Sequence, residues 1–243
     1  LRSPSKEEHL RARYLVDCTG RRAMLTKMLG IPIIENEDKL FAYSQWFSSD
    51  AEDDDCFTRI EAVASGWWYT NRVPTSDGKE NKRLVVFYSD KDLPEGKRAG
   101  SLEGFNELLN ETIQIAPLLK AGLYQPSGVI RGAPANSQRL QEFCGDAWMA
   151  VGDAAQAYDP LSSQGIDKAL RTGSHAGYLI HYALTDDADN SLSTDNQFIQ
   201  QYSQQQKQLW DVYLTQRDYY YGIQTRWPDQ AFWQRRQNYS TMI

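Results

Sequence analysis

The stretch AWMAVGDAAQAYDPLSSQGIDKALRTGSHAGYLI, residues 147–180, decides the fold of this chain. Its first five residues form a short apolar run, which is typical of a buried strand, and Gly152 and Asp153 follow where that strand ends. The Asp-Pro pair at residues 159–160 predicts a second turn, and a long helix is predicted to begin at Gly165. The small and apolar residues at helical spacing are Ile166, Ala169, Leu170, Gly173, Ala176, Gly177 and Ile180. A strand therefore delivers a carboxylate to its carboxyl end, shortly before a helix begins.

This arrangement predicts a binding site for a nucleotide-type ligand. In an open α/β layer, ligands bind at the carboxyl ends of the strands. The first turn of a helix favours anionic or electron-rich atoms, because its N–H groups point outward. Asp153 would then accept hydrogen bonds from hydroxyl groups, and the Gly165 turn would face a ring system. The alternative is an ordinary βα unit in which Asp153 is only a capping residue, and spacing alone favours neither.

The residues themselves resemble the second FAD-contact segment of the FAD-dependent monooxygenase superfamily, which has the p-hydroxybenzoate-hydroxylase-like fold. The resemblance lies in GDAA, in the Asp-Pro pair six residues after the aspartate, and in SSQG at the start of a helix rich in small residues. It implies FAD as the cofactor, with the aspartate on the ribityl chain and the helix start at the pyrimidine edge of the flavin. The implied FAD contacts in this segment are Gly152, Asp153, Pro160, Ser163, Gln164, Gly165 and Ile166.

A second segment, DCTG at residues 17–20, follows a short apolar run and resembles the D-x-T-G turn of the same superfamily. The resemblance adds Thr19 and Gly20 to the implied FAD contacts. A plain strand–turn–helix is the alternative for these four residues alone. Their position before a β-rich region and before GDAA is the order found in the superfamily.

The phosphate-binding motif G-x-G-x-x-G does not occur in these 243 residues. Gly96, Gly100 and Gly104 are spaced by four in a polar segment and do not replace it. Proteins of this class normally carry the motif in a βαβ unit at the amino end. We therefore expect this chain to be the carboxyl-terminal part of a longer flavoprotein, or a product made without its first half.

The predicted fold class is mixed α/β (α+β), with a partial Rossmann-like FAD-binding domain, an antiparallel substrate-domain sheet and a C-terminal helical block. Four β-rich runs predict the sheet, at residues 41–47, 57–64, 67–74 and 83–88. An acidic linker at 185–195 precedes the helical block. The predicted domains are residues 1–36 with 140–185 for FAD, 37–139 for the substrate, and 186–243 as a cap.

Composition excludes several classes of function. A formal charge of −6 argues against a nucleic-acid partner, which needs clustered Lys and Arg. Three widely spaced cysteines suggest neither a disulfide framework nor a metal site. The sequence has neither a membrane-span pattern nor a signal-peptide pattern, so the expected location is cytoplasmic.

No residue stands out as catalytic. The superfamily implies that reduced flavin reacts with O₂ to give a C4a-hydroperoxide, which the protein shields and aims, so few acid–base side chains are needed. Trp46, Trp68 and Arg131 are candidates for the substrate pocket. Packing in the sheet is the alternative for the tryptophans, and a surface salt bridge is the alternative for Arg131.

The segment RWPDQAFWQRR, residues 226–236, resembles a carboxyl-terminal block of tryptophan-halogenase-like flavoproteins and of the flavoproteins that mature quinone cofactors. It is predicted to cap the substrate side or to dock a protein partner. The predicted activity is monooxygenation of an aromatic substrate, either a small molecule or a tryptophan side chain in a partner polypeptide. Electrons would come from a flavin reductase or from NAD(P)H.

Two alternatives remain within the fold, and one lies outside catalysis. A halogenase is disfavoured because GWWYTNRVP at residues 66–74 lacks the W-x-W-x-I-P pattern, and because Ser163-Gln164-Gly165 replaces the Ser-Thr-Gly halide turn. A reductase of lipid double bonds shares the fold. The third alternative is a non-catalytic fragment that cannot hold FAD on its own.

Overall fold

The computed structural model describes residues 2–3, 6–7, 9–35, 39–73, 81–185 and 197–237. Its strands are β1 (Arg2–Ser3), β2 (Lys6–Glu7), β3 (Leu15–Asp17), β4 (Ile33–Glu35), β5 (Leu40–Ser49), β6 (Arg59–Val63), β7 (Gly66–Val73), β8 (Asn81–Asp90), β9 (Gln125–Pro134), β10 (Gln138–Leu140), β11 (Cys144–Gly145), β12 (Trp148–Ala150) and β13 (Gln156–Ala157). Its helices are α1 (Met24–Met28), α2 (Pro94–Arg98), α3 (Leu102–Asn110), α4 (Ile115–Ala121), α5 (Gly152–Ala155), α6 (Gly165–Thr185), α7 (Gln197–Gly222) and α8 (Ala231–Gln237).

The chain divides into two compact units. The first unit is Leu1–Asn36 with Ser137–Arg217, and the second is Glu37–Asn136 with Asp218–Ile243. The mixed α/β fold class predicted from the sequence is confirmed, including the antiparallel sheet and the helical block at the carboxyl end. The assignment of separate cofactor, substrate and cap domains stays a prediction. Most of the acidic linker lies outside the described residues.

In the first unit, a small sheet has the order β11-β12-β3, and a second has the order β13-β10-β4. β12 runs parallel to β3 and antiparallel to β11. All three residues of β12 are buried, as its apolar run predicts. α7 packs close to this strand, since the hydroxyl of Tyr202 donates a hydrogen bond of 2.7 Å to the carbonyl of Ala150. This packing fixes the strand that leads into the GDAA turn.

The residues that α6 buries differ from the small and apolar residues that the sequence places at helical spacing. The buried residues of this helix are Lys168, Thr172, Ala176, Leu179 and Ala183, which follow one another at helical spacing. Ile166 and Leu170 are exposed instead. The buried face therefore includes a lysine and a threonine, both of which make hydrogen bonds in the interior.

In the second unit, five antiparallel strands have the order β6-β7-β8-β5-β9. α3 and α4 pack against one face of this sheet, where Tyr43 and Phe47 of β5 contact the core formed with Phe105 and Leu119. The residues that alternate with these on β5 are more accessible, as expected when one face of an antiparallel sheet is packed.

The carboxyl-terminal block packs against β-sheet residues of the second unit. The guanidinium of Arg236 donates to Asp90 Oδ1 at 2.5 Å, and both side chains are fully buried. The indole N–H of Trp233 donates to the carbonyl of Val63 at 3.0 Å. A buried ion pair and a buried indole thus hold α8, because each would be costly to leave without its partner.

Candidate functional site

The two turns singled out in the sequence lie at the same edge of one sheet. β3 and β12 are parallel neighbours in which Asp17 is opposite Ala150. Because parallel strands end at the same edge of a sheet, the turns that follow them are adjacent. The predicted FAD contacts at this edge are Thr19, Gly20, Gly152 and Asp153.

Asp17 holds the first turn together. Its carboxylate accepts hydrogen bonds from the backbone N–H of Thr19 at 2.9 Å, from the hydroxyl of Thr19 at 2.6 Å, and from the backbone N–H of Thr26 at 3.1 Å. Burial raises the pKa of Asp17, but these hydrogen bonds outweigh burial and hold it below its usual value. Gly20 follows with φ of +65°, a conformation that suits glycine. The D-x-T-G residues therefore form a rigid turn at the strand end.

Gly152 is required by the second turn for two reasons. Its φ is +56°, in the left-handed region, and a Cβ atom there would lie 3.2 Å from the Cβ of Ala169 on α6. Its backbone N–H donates to the hydroxyl of Thr172 at 2.9 Å. The turn is thus pressed against the long helix, and the next residue, Asp153, keeps 40% of its side chain exposed.

The second turn segment leads into α6 through a buried aspartate. Asp159 accepts a hydrogen bond from the backbone N–H of Leu161 at 2.9 Å, and its own N–H donates to the hydroxyl of Tyr213 at 2.8 Å. Pro160–Ser162 is a 3₁₀ turn, and Ser163 has φ of +53°. The residue with a left-handed backbone in this turn is therefore Ser163 and not Gly165.

Gly165 leaves the backbone accessible at the start of α6. A Cβ atom at Gly165 would meet no heavy atom within 4 Å among the described residues. Ile166 is 81% exposed. The first helical hydrogen bond runs from the N–H of Lys168 to the carbonyl of Gln164, so the N–H groups of residues 165–167 precede it. An apolar side chain and N–H donors thus stand together at the surface of the first unit.

Sequence reasoning missed Lys168. Its ammonium donates to Asp153 Oδ1 at 2.9 Å and to the backbone carbonyl of Gln156, and it lies 4.0 Å from the centre of the Tyr158 ring. Only 5% of its side chain is exposed. The signal was present as spacing, because residues 168, 172, 176, 179 and 183 form one helical stripe. A count restricted to apolar residues passed over its polar members.

The three candidate substrate residues belong to the second unit and differ in accessibility. Trp46 is 37% exposed and Arg131 is exposed, and Arg131 pairs across the strands with Ser44, two residues before Trp46. Trp68 is 1% exposed and stacks on Phe87 with 4.6 Å between ring centres. Trp68 therefore packs in the core, as the alternative for sheet tryptophans anticipated, while Trp46 and Arg131 are available to a ligand.

Within the described ranges, no group of three or more His, Cys, Asp and Glu residues could hold a metal ion. Among the described helices, none is both long enough and apolar enough to cross a bilayer.

The chain is similar to known flavoproteins. Residues 1–209 match the family model described as FAD binding domain. A relative named "Putative FAD-dependent oxidoreductase LodB", from Marinomonas mediterranea, is 30% identical over 230 residues, which cover 94% of this chain and 57% of LodB. The chain spans about half the length of the curated relatives it matches.

Solved structures that share the fold include the following two. The flavin-dependent halogenase CmlS superposes with a TM-score of 0.72 at 21% identity, covering 92% of this chain and 40% of CmlS. The peptidyl tryptophan dihydroxylase QhpG, essential for tryptophylquinone cofactor biogenesis, superposes with a TM-score of 0.61 at 22% identity, covering 94% of this chain and 49% of QhpG. The chain therefore belongs to the FAD binding domain family and its cofactor is FAD, and its fold is the one seen in flavin-dependent halogenases and in a peptidyl tryptophan dihydroxylase.

Proposed function

We propose that this chain is part of a flavin-dependent monooxygenase that adds oxygen to an aromatic substrate. Its FAD would be held at the sheet edge and the helix start of the first unit. Asp153 would accept hydrogen bonds from the ribityl hydroxyls, since its carboxylate is 40% exposed beside the turn of Gly152. The N–H groups of residues 165–167 would face the electron-rich edge of the ring system. Thr19 and Gly20 would border the cofactor from the neighbouring strand end.

The fit rests on the donors and on the space at this corner. An exposed carboxylate suits sugar-like hydroxyls, and outward N–H groups suit carbonyl oxygens and ring nitrogens. The absence of a side chain at Gly165 lets a flat ring come close to the backbone, and the exposed Ile166 offers an apolar contact. When bound and reduced, FAD supplies the electrons that activate O₂. The role of this chain is to bind and orient the cofactor and to keep water from it.

The observation that carries oxygenation over halogenation is the side chain at position 164. Halogenases use a Ser-Thr-Gly turn for halide, and this chain has Ser163-Gln164-Gly165. The amide of Gln164 donates to Gln216 Oε1 on α7 at 3.1 Å. A long side chain anchored in this way fills more space beside the turn than threonine would, which leaves less room for a halide ion.

For the substrate, we infer a tryptophan side chain in a partner polypeptide. The similarity in fold to a peptidyl tryptophan dihydroxylase supports this choice over a small aromatic molecule. Trp46 offers an aromatic face and Arg131 a cation on the accessible part of the second unit. Electrons would come from a flavin reductase or from NAD(P)H, and the reaction would take place in the cytoplasm.

Halogenation is the second candidate, because CmlS and the 1H-pyrrole-2-carbonyl-carrier-protein chlorinase are among the proteins similar to this chain. The test incubates the protein in its full encoded length with FAD, a flavin reductase, NADH and air. A tryptophan-containing peptide is added with and without bromide, and product masses are measured. Gain of oxygen supports the proposal, whereas incorporation of bromine contradicts it. The variant Gln164→Thr, which restores the Ser-Thr-Gly pattern, shows whether this turn selects between the two reactions.

A further inference from the structure

Lys168 is a buried cation in direct contact with the carboxylate proposed to bind FAD. It lies in the first turns of α6, where a side chain leans toward the start of its helix. Its three neighbours are the Asp153 carboxylate on α5, the backbone carbonyl of Gln156, and the face of the Tyr158 ring. This is a complete set of partners for an ammonium group: an anion, a carbonyl and an aromatic face.

The surroundings otherwise disfavour a positive charge at this position. The start of a helix carries positive potential, and Arg21 in the neighbouring turn adds a second cation. Burial lowers the pKa of Lys168, and Asp153 acts in the opposite direction by attracting the ammonium. A cation that is retained despite these costs depends on its carboxylate partner. The reverse also holds, because the ammonium fixes where that carboxylate lies.

The two partners differ sharply in exposure. Lys168 has 5% of its side chain exposed, and Asp153 has 40%. The lysine therefore approaches the carboxylate from the protein interior, while the accessible side of Asp153 faces outward. A carboxylate held from behind at one oxygen presents the other to a ligand in a fixed direction, which reduces the conformational entropy lost on binding.

We propose that Lys168 is a positioning residue, which orients the Asp153 carboxylate from the interior so that it can accept hydrogen bonds from the FAD ribityl hydroxyls. This inference rests on the proposed FAD site and goes beyond it, because Lys168 touches Asp153 and not the cofactor. The role needs a long cationic side chain that reaches two acceptors at once. An apolar residue of similar length would leave Asp153 free to turn and the Gln156 carbonyl without this donor.

The test is an FAD titration of the protein in its full encoded length, followed by flavin fluorescence. Lys168→Met should weaken FAD binding about 10-fold, the order seen when a partner that orients a metal-binding side chain is removed. Arg171→Met is the matched control, since Arg171 is an exposed cation on the same helix that pairs with Asp167. It should bind FAD as the wild type does. Thermal unfolding of each variant separates loss of folding from loss of affinity.

A double-mutant cycle asks whether the effect passes through Asp153. In the Asp153→Asn background, Lys168→Met should change FAD affinity by less than about 2-fold, because the positioned carboxylate is already gone. Equal effects of Lys168→Met in the two backgrounds would show that the lysine acts on FAD by another route, and would overturn the proposal.

A pH profile provides a readout that a merely structural lysine would not move. The charged or titratable groups that face Lys168 are Asp153, Tyr158 and Arg21. Burial raises the pKa of Tyr158, so its hydroxyl stays protonated through the alkaline range. Burial lowers the pKa of Lys168, so the wild type should lose FAD affinity as the pH rises toward the ordinary lysine pKa of about 10, because Lys168 loses its proton. Lys168→Arg stays charged and should lose less affinity than the wild type over the same pH range. Ionisation of FAD itself affects both proteins equally, so the difference between them reports on residue 168.

Three outcomes are distinguishable. Weaker binding in Lys168→Met, with retention of alkaline affinity in Lys168→Arg, supports the proposal. If the wild type and Lys168→Met bind FAD with the same affinity and the same pH profile, the role of Lys168 is overturned and the FAD site stays intact. If the wild type does not bind FAD, the proposed function itself fails and this inference fails with it.

Discussion

Replacing Gly152 by alanine tests the turn on which the proposed cofactor site depends. The φ of Gly152 is +56°, and its added Cβ would lie 3.2 Å from the Cβ of Ala169. The left-handed conformation costs a non-glycine residue about 1–2 kcal/mol. Overpacking a well-filled interior costs about 1–3 kcal/mol. The two contributions together predict a loss of about 2–5 kcal/mol in the free energy of unfolding.

For a chain of this size, each kcal/mol lowers Tm by about 2–4 °C, so Gly152→Ala should unfold roughly 4–20 °C below the wild type. The assay is thermal unfolding followed by circular dichroism. Gly177→Ala is the matched control, because Gly177 is an exposed residue of α6 whose Cβ would meet no described heavy atom within 4 Å. The free energy of unfolding of that variant should rise by about 0.5–1 kcal/mol, since alanine is a better helix former than glycine. A Tm of Gly152→Ala within about 1 °C of the wild-type Tm would contradict this prediction.

Two further predictions concern buried polar groups of the first unit. Because its hydrogen bonds hold the pKa of Asp17 below the usual value, Asp17 stabilises the fold above the pKa of an unfolded aspartate, about 4, and this contribution is lost as the pH falls through the lower folded pKa. Urea unfolding of Asp17→Asn should therefore depend less on pH in the acid range than unfolding of the wild type, and equal slopes would contradict this. Tyr213→Phe removes the hydroxyl that accepts a hydrogen bond from the N–H of Asp159 and forms a second hydrogen bond with Ser137. It should lower the free energy of unfolding by about 1–3 kcal/mol, and denaturation curves that superimpose on those of the wild type would contradict this.

The strand ends of the candidate site were predictable because short-range sequence rules act there. A buried apolar run followed by Gly152 and Asp153 predicts a strand and a turn, and the structure has both. The antiparallel sheet was equally readable, since β-rich runs alternate with polar loops. In each case the local pattern and the tertiary fold require the same residues.

The rest depended on tertiary contacts that no local pattern contains. Lys168 is polar, and its burial makes sense only once Asp153 and the Gln156 carbonyl are placed beside it. Trp68 sits in a β-rich run in the same way as Trp46, and only the helix that packs over one face makes Trp68 part of the core. Ser163 has φ of +53°, a left-handed conformation that no local sequence rule assigns to a serine at this position.

Equilibrium dialysis against FAD asks whether Asp153 and the start of α6 bind the cofactor, as we propose. We expect the protein in its full encoded length to bind FAD, with a flavin absorption spectrum and a ligand-dependent rise in Tm. We also expect Asp153→Ala to weaken binding by about 10–100-fold, the order expected for loss of a hydrogen-bonded charged group. Binding of FAD with equal affinity by the wild type and by Asp153→Ala, or the absence of binding by either protein, would contradict it.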